Sequence, residues 1–460
     1  MRAAAIVLLL AVTAGCEGNR SAFQRRAVPR PPVILVTLDT FRADHLGCAG
    51  NPVVRTPHLD SFARGAVQWT GAVSAVPLTT PSHATILSGL TPRSHGVLKN
   101  RMVLADRVRT IAEILGDAGW RTGAVVSSPV VLGPELGLSV GFDSYEVVEP
   151  AERPARGEGR HTTEAAVRWL EAHGGPGSFL WAHYFDTHLP YLPPEPLPAL
   201  YSPDYDGPFQ LPTGPVQGIF STSDEISRED VAHLAALYAG EVTFLDDCVG
   251  DLLRAPQAGN AVILLTADHG EGLWEHDRYF GHDVLLYDTA VRIPMILRLP
   301  ADGGAATTAP RIAPHGVSTE PARTTDVTPT LLGRCGISAG GMEGRDLLRD
   351  PAPQGDALAF VLETHPSHEK AEPLFALRTE TQKVIWIPRE RRHEYYDLAA
   401  DPAELRELGE DAGDLYRVLG EDLEIDLRER PPGRPMTVDD EHGMDDATRE
   451  ALESLGYVDG

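Results

Sequence analysis

The sequence predicts an α/β fold: a large mixed, mostly parallel sheet flanked by helices, followed by a small C-terminal antiparallel sheet plus a helix. Three observations predict it. Val33–Leu38, Ser178–Phe185 and Ala261–Ala267 are unbroken apolar runs, the pattern of strands buried on both faces of a parallel sheet. The second and third follow helical patterns, Thr162–Ala172 and Arg228–Leu253, and that alternation marks βαβ units. Beyond Gly344 the character changes to short alternating stretches, Ala359–Glu363, Phe375–Arg378 and Lys383–Pro388, and then an acidic tail.

Taken in order, residues 1–16 read as a targeting segment. Arg2 precedes a short apolar run, Ala3–Val12, well under the ~20 residues of a membrane helix. Thr13-Ala14-Gly15-Cys16 resembles a bacterial lipoprotein signal, which implies export to the periplasm or outer surface with a lipid anchor at Cys16. A plain secretory signal with an incidental cysteine is the other reading. Residues 17–31 form a polar linker, residues 32–343 the main domain, and residues 344–460 a C-terminal subdomain with its acidic tail. Within the main domain, Thr56-Pro57 reads as the cap and first turn of a helix over Leu59–Gly65, Ile293–Leu299 as a strand and Thr325–Leu332 as a helix.

Composition bounds the partners. The 460 residues are 42% hydrophobic and 23% charged, with a formal charge of −26. So acidic a surface repels nucleic acid and anionic membrane, leaving the lipid at Cys16 as the only predicted membrane attachment. An acidic protein that handles an anion must gather positive charge locally, and a metal ion does this. Cys48, Cys248 and Cys335 are odd in number and widely spaced, which suits neither a disulfide framework nor a CxxC metal site.

Chemistry gathers at the strand ends. Asp39-Thr40, Asp186-Thr187-His188 and Asp268-His269 each follow a buried run, at the carboxyl edge where open α/β sheets place ligands. An Asp-His pair offers a hard oxygen and an imidazole nitrogen, which favours zinc or manganese, with calcium as the alternative. In Val76–Thr85 (VPLTTPSHAT), Pro81 suits a first helical turn. Thr79 and Thr80 then lie at a helix N-terminus, where free N–H groups favour an anion and a cation can activate a hydroxyl.

These residues carry a resemblance. Leu38-Asp39-Thr40 with Arg42–Gly47, Thr79–His83, Gly89–Val97, His183–Tyr191 and Thr266–Glu271 run in the order of the sulfatase family's motifs. Gly281-His282, Leu286–Asp288, Val291–Pro294, Thr325–Leu332, Tyr396–Leu398 and Asp401-Pro402 continue the series. The resemblance implies an alkaline-phosphatase-like fold and a sulfatase-like catalytic domain over 32–343. It implies Asp39, Asp268 and His269 as metal ligands, with Thr40 at a position where the family more often has an Asp ligand. Thr79 would be both metal ligand and nucleophile, and His188 and His282 would contact the ester oxyanion or protonate the leaving group.

The departures are informative. Sulfatases carry Cys or Ser at the nucleophile, oxidised to formylglycine; threonine cannot yield that residue because its β-carbon bears a methyl. His83 stands at the family's arginine position, Val125–Pro129 replaces its Lys-x-His clamp, and His282 replaces a lysine. No formylglycine is therefore expected. The reading is a hydrolase of phosphate mono- or diesters acting through a covalent Thr79 intermediate on an anionic ester substrate. Sulfate-ester hydrolysis of the arylsulfatase kind is the alternative, and an inactive glycan-binding lipoprotein is the reading from another class. His95, His183 and His276 are expected to be structural.

Overall fold

The computed structural model describes residues 30–148, 158–209, 226–277, 280–300, 311–352, 360–364 and 373–413, with individual positions between 416 and 427. The targeting segment with Cys16, nearly all of the linker and the acidic tail beyond 430 lie outside the described residues.

The main sheet has eight strands: β1 Val33–Leu38, β2 Val67–Trp69, β3 Arg121–Ser127, β4 Ser144–Val148, β5 Ser178–Tyr184, β6 Val262–Ala267, β7 Met295–Arg298 and β8 Gly316–Ser318. Their order is β8-β2-β7-β6-β1-β5-β3-β4. Only β7 runs against its neighbours; all other pairings are parallel. The sheet is thus mixed and mostly parallel. Every residue of β1, β5 and β6 is buried, which is why their sequences carry no polar alternation.

Helices cover the sheet in two groups. Pro57–Arg64, Glu158–His173 and Arg228–Arg254 pack together, and Thr79–Ser88, Ile111–Asp117 and Val327–Arg334 form the other group. The long helix starts with a capping box, Ser227 with Asp230, two N–H groups satisfied reciprocally. The expected cap at Thr56 takes another form: its hydroxyl accepts from the Gly47 amide and donates to Asp60, at 2.8 and 3.0 Å, while Asp246 takes the His58 and Leu59 amides from across the helix pair. Strands β3 and β4 escape the sequence reading because β3 opens on Arg-Thr-Gly. Gly123 has a packing reason: a Cβ there would lie 2.2 Å from the Trp169 ring.

The C-terminal sheet is fully antiparallel: β9 Phe360–Thr364, β10 Leu374–Arg378, β11 Gln382–Ile387 and β12 Arg392–Asp397. The fourth strand was missed because Arg392–Asp397 reads as charged and aromatic rather than alternating. One face packs Ala376, Ile385 and Tyr396 against Leu285, Leu286 and Val291 of the main domain. Leu419 and Leu423 cover the other. Leu347 and Leu348, past the expected boundary at 343, belong to the main core.

Buried charge joins the two parts. Lys383 Nζ lies 2.7 Å from both Asp288 and Glu404, and Arg378 grips Asp288 at 2.9 and 2.7 Å. Removing Lys383 leaves Glu404 buried without its ion partner, while Arg378 still holds Asp288. Lys383→Met should therefore cost about 3–5 kcal/mol, read by urea denaturation; a cost below ~1 kcal/mol would mean the network contributes little to docking.

Candidate active site

Register builds the site. In the parallel sheet Leu38 pairs with both Tyr184 and Ala267, so the next residues, Asp39 and Asp268, emerge side by side at the carboxyl edge. Thr40 turns the chain with φ of 50°, and its amide donates to Asp268 Oδ1 at 3.3 Å. Ligand atoms of Asp39, Asp268 and His269 lie within 4.8 Å of one another, all fully buried. Both oxygens of Asp39, Oδ2 of Asp268 and the Thr40 hydroxyl are buried without a hydrogen-bond partner among the described residues. Burial pushes both carboxyl groups well above the usual range, and at Asp268 the Asp39 charge adds to it. Two such carboxylates stay ionised together only with a cation between them. The donor set fits a divalent metal.

His269 completes that set. Its Nδ1 donates to the Gly270 carbonyl at 3.0 Å, which turns Nε2 toward Asp268 Oδ2 at 3.4 Å and Thr79 Oγ1 at 3.5 Å. A ring held through Nδ1 in this way presents a lone pair to a metal. Thr79 is the first residue of the helix Thr79–Ser88, fully buried, with Leu78 as its extended cap. Neither threonine hydroxyl caps the helix. The anion role expected of Thr80 is reduced, because its amide donates to Asn100 and its hydroxyl to the Val131 carbonyl.

Two histidines to which the sequence reading gave no role in the site stand behind these groups. His183, expected to be structural, places Nε2 3.5 Å from Asp39 Oδ2 and Nδ1 3.0 Å from the Thr37 hydroxyl. His83 donates from Nδ1 to the Thr79 carbonyl at 2.8 Å and also reaches the Thr37 hydroxyl, at 3.2 Å. Thr37 receives the Trp181 indole N–H as well. With the Thr37 hydroxyl pointing at His183 Nδ1, the His183 proton lies on Nε2, the nitrogen that faces Asp39. The available signal was strand parity: Asp39, just past the end of β1, is two residues from Thr37 and so on its side. His95, by contrast, is satisfied by Thr85 and the Val97 amide, away from the cluster.

His188 and His282 meet over the site. His188 Nδ1 donates to the Leu189 carbonyl and His282 Nδ1 to the Pro77 carbonyl, each at 2.7 Å. Their Nε2 atoms face each other at 3.5 Å, and the His282 ring centroid is 4.1 Å from that of His269. Both Nδ1 protons are committed to carbonyls, so a hydrogen bond between the Nε2 atoms needs one imidazolium. Burial, then the neighbouring His282, pushes His188 down to about 3; an anion in the site would favour the proton.

Asp186 does not join them. Its Oδ1 accepts the Gly159 amide at 2.9 Å, at the start of the helix Glu158–His173. It thus supports the start of that helix. Burial pushes Asp186 from 3.8 up to about 6. The folded state then holds its proton more tightly than the unfolded chain. That contribution is full below pH 3.8 and is lost as pH rises through 6, a decline of about 3 kcal/mol. Thermal melts from acid to neutral pH should show Asp186→Asn losing less stability across that window than the parent; parallel curves would refute the assignment.

The profile of the Sulfatase family matches residues 31–337, and that of the N-sulphoglucosamine sulphohydrolase C-terminal region matches residues 275–429. The ulvan-active sulfatase of Formosa agariphila is 26% identical over 432 residues, covering 86% of this chain and 81% of that protein. Among solved structures, a protein in complex with its substrate D-glucosamine-2-N,6-O-disulfate superposes with a TM-score of 0.69 at 18% identity, covering 88% of this chain and 99% of the other. The phosphonate monoester hydrolase of Agrobacterium radiobacter gives 0.68 at 20% identity, covering 87% and 95%. With its family profile spanning the whole strand-end cluster from Asp39 to His269, this chain belongs to the sulfatase family, and it is a hydrolase of sulfo- or phospho-esters.

Proposed function

We infer that the protein hydrolyses phosphate mono- or diesters, with Thr79 as the nucleophile. One observation carries this reading: a threonine hydroxyl, unable to become formylglycine, sits at a buried helix start facing His269 Nε2 at 3.5 Å. The likeness to a phosphonate monoester hydrolase supports it.

Asp39, Asp268 and His269 would hold the divalent metal, with the Thr79 and Thr40 hydroxyls as further oxygen donors. The mixed nitrogen and oxygen set suits zinc or manganese. When bound, the metal stabilises the Thr79 alkoxide and the charge on the transferred group. Thr79 Oγ attacks in line, the bond from phosphorus to the leaving oxygen breaks, and the proton shared by His188 and His282 passes to that oxygen. Water then attacks phosphorus, Thr79 leaves, and the water's proton returns to the histidine pair. His183 Nε2 faces Asp39 Oδ2 across 3.5 Å, and His83 holds the Thr79 backbone; neither is assigned to the substrate.

The test is rapid quenching with an aryl phosphate, followed by peptide mapping. Phosphate should be found on Thr79; a phosphorylated residue elsewhere, or none under burst conditions, would overturn the assignment. A sulfate-ester reading is kept by one observation, the ulvan-active relative. We also place the protein outside the cytoplasm, anchored through Cys16, because an apolar run ends four residues before it. Cys16→Ser should release it from the membrane fraction, and unchanged fractionation would remove the anchor.

A further inference from the structure

The turn that carries Asp39 out of β1 is held in an uncommon conformation. Thr40 has φ of 50°, a left-handed backbone that a β-branched residue rarely adopts. Such a conformation persists where the surroundings over-determine it, and here four hydrogen bonds do so. The Asp39 amide donates to the Tyr184 carbonyl at 2.8 Å, and the Asp39 carbonyl accepts from the Thr187 hydroxyl. The Thr40 amide donates to Asp268 Oδ1 at 3.3 Å, and the Thr40 carbonyl accepts from the Tyr238 hydroxyl at 2.8 Å. Every backbone polar group of the two residues is thus engaged. None of the four bonds uses a side-chain oxygen of Asp39 or Thr40.

Two of those partners are hydroxyls brought in from other elements. Tyr238 lies within the long helix Arg228–Arg254, and Thr187 lies just past β5; both are fully buried. The Tyr238 oxygen also accepts the Arg42 amide at 3.0 Å. One phenol therefore closes the turn from both sides, donating to the residue before Phe41 and accepting from the residue after it. Its ring packs in T-shaped contact with His45 and Tyr191, at centroid distances of 5.0 and 5.4 Å, which fixes the direction of the hydroxyl. Burial pushes the phenol well above its ordinary value, so it keeps the proton that Thr40 accepts.

Partners that fix a metal's ligands, without touching the ion, set how well a site binds it. A carboxylate carried on a strained turn relaxes out of place once the carbonyls behind it are released. We propose that Tyr238 and Thr187 are positioning residues of the metal centre. Their hydroxyls grip the Thr40 and Asp39 carbonyls and so keep the Asp39 carboxylate and the Thr40 hydroxyl in place for the ion. Neither contacts the ion or the ester. Both roles rest on the divalent metal that Asp39, Asp268 and His269 would hold.

Competition for zinc ion, and separately for manganous ion, between the full-length protein and a chelating dye tests this. Tyr238→Phe and Thr187→Val each remove one hydroxyl and little volume. Each should weaken binding of the ion by about ten- to a hundredfold, the usual loss when a partner behind a ligand is removed. If one variant does not fold, the other decides. Tyr184→Phe removes an equally buried hydroxyl, bonded to Thr163 at 2.9 Å, and should stay within about twofold of the parent. Parent-like affinity in a folded Tyr238→Phe or Thr187→Val would overturn that residue's role while leaving the metal centre standing. So would an equal loss in Tyr184→Phe, which would mark the effect as general loosening. A parent that binds neither ion would bring down the metal centre, and the positioning roles with it.

Discussion

Thr79→Ala is expected to lower kcat by about 10⁴-fold or more, the scale on which loss of a nucleophile is felt, while leaving the fold intact. The reason for the second half is local. Thr79 starts its helix without a side-chain cap bond, and the backbone contact that matters, His83 Nδ1 to its carbonyl, survives the substitution. Stability should change by no more than ~1–2 kcal/mol. Thr79→Ser keeps the hydroxyl and should retain activity within about two orders of magnitude. Kinetics with an aryl phosphate, paired with circular dichroism melts, checks both parts. Activity in Thr79→Ala near that of the parent would transfer the nucleophile elsewhere.

Asp268→Asn should abolish metal binding and with it turnover, yet the metal-free protein should become more stable, not less. In the absence of a cation, Asp268 and Asp39 oppose each other at full burial, and both are driven above the usual carboxylate range. Replacing one by a neutral amide removes that repulsion. Chelation should therefore lower the melting temperature of the parent, which loses about 4 kcal/mol of stability relative to a thousandfold excess of metal over Kd, and leave Asp268→Asn unmoved. Differential scanning calorimetry with and without chelator reads this directly. A parent indifferent to chelator would argue that the cluster holds no metal.

Much of this was legible in the sequence, and the limits have physical causes. Strands β1, β5 and β6 announced themselves because burial on both faces demands unbroken apolar runs. From them followed the carboxyl edge and the adjacency of Asp39 and Asp268, which the register confirms. Side-chain direction was not legible. Asp186 leaves its strand end as Asp39 does, but turns to the Gly159 amide. His183 lies within a strand and looked like core, yet its parity brings it to Asp39. The sequence shows His83 only as a missing arginine, whereas the structure gives it work: it holds the carbonyl of Thr79. Strand β3 was hidden by an opening Gly-containing stretch whose purpose is to admit Trp169.

The central claim is that a sulfatase-family site carrying Thr79 serves phosphate esters. Its most direct test is kcat/KM measured side by side for an aryl sulfate, an aryl phosphate monoester and an aryl phosphate diester, with the metal-loaded parent and Thr79→Ala. The expected result is a phosphoester preference of at least ~10-fold over the sulfate, all of it lost in the variant. Faster turnover of the sulfate, or phosphoester activity that persists in Thr79→Ala, would contradict it.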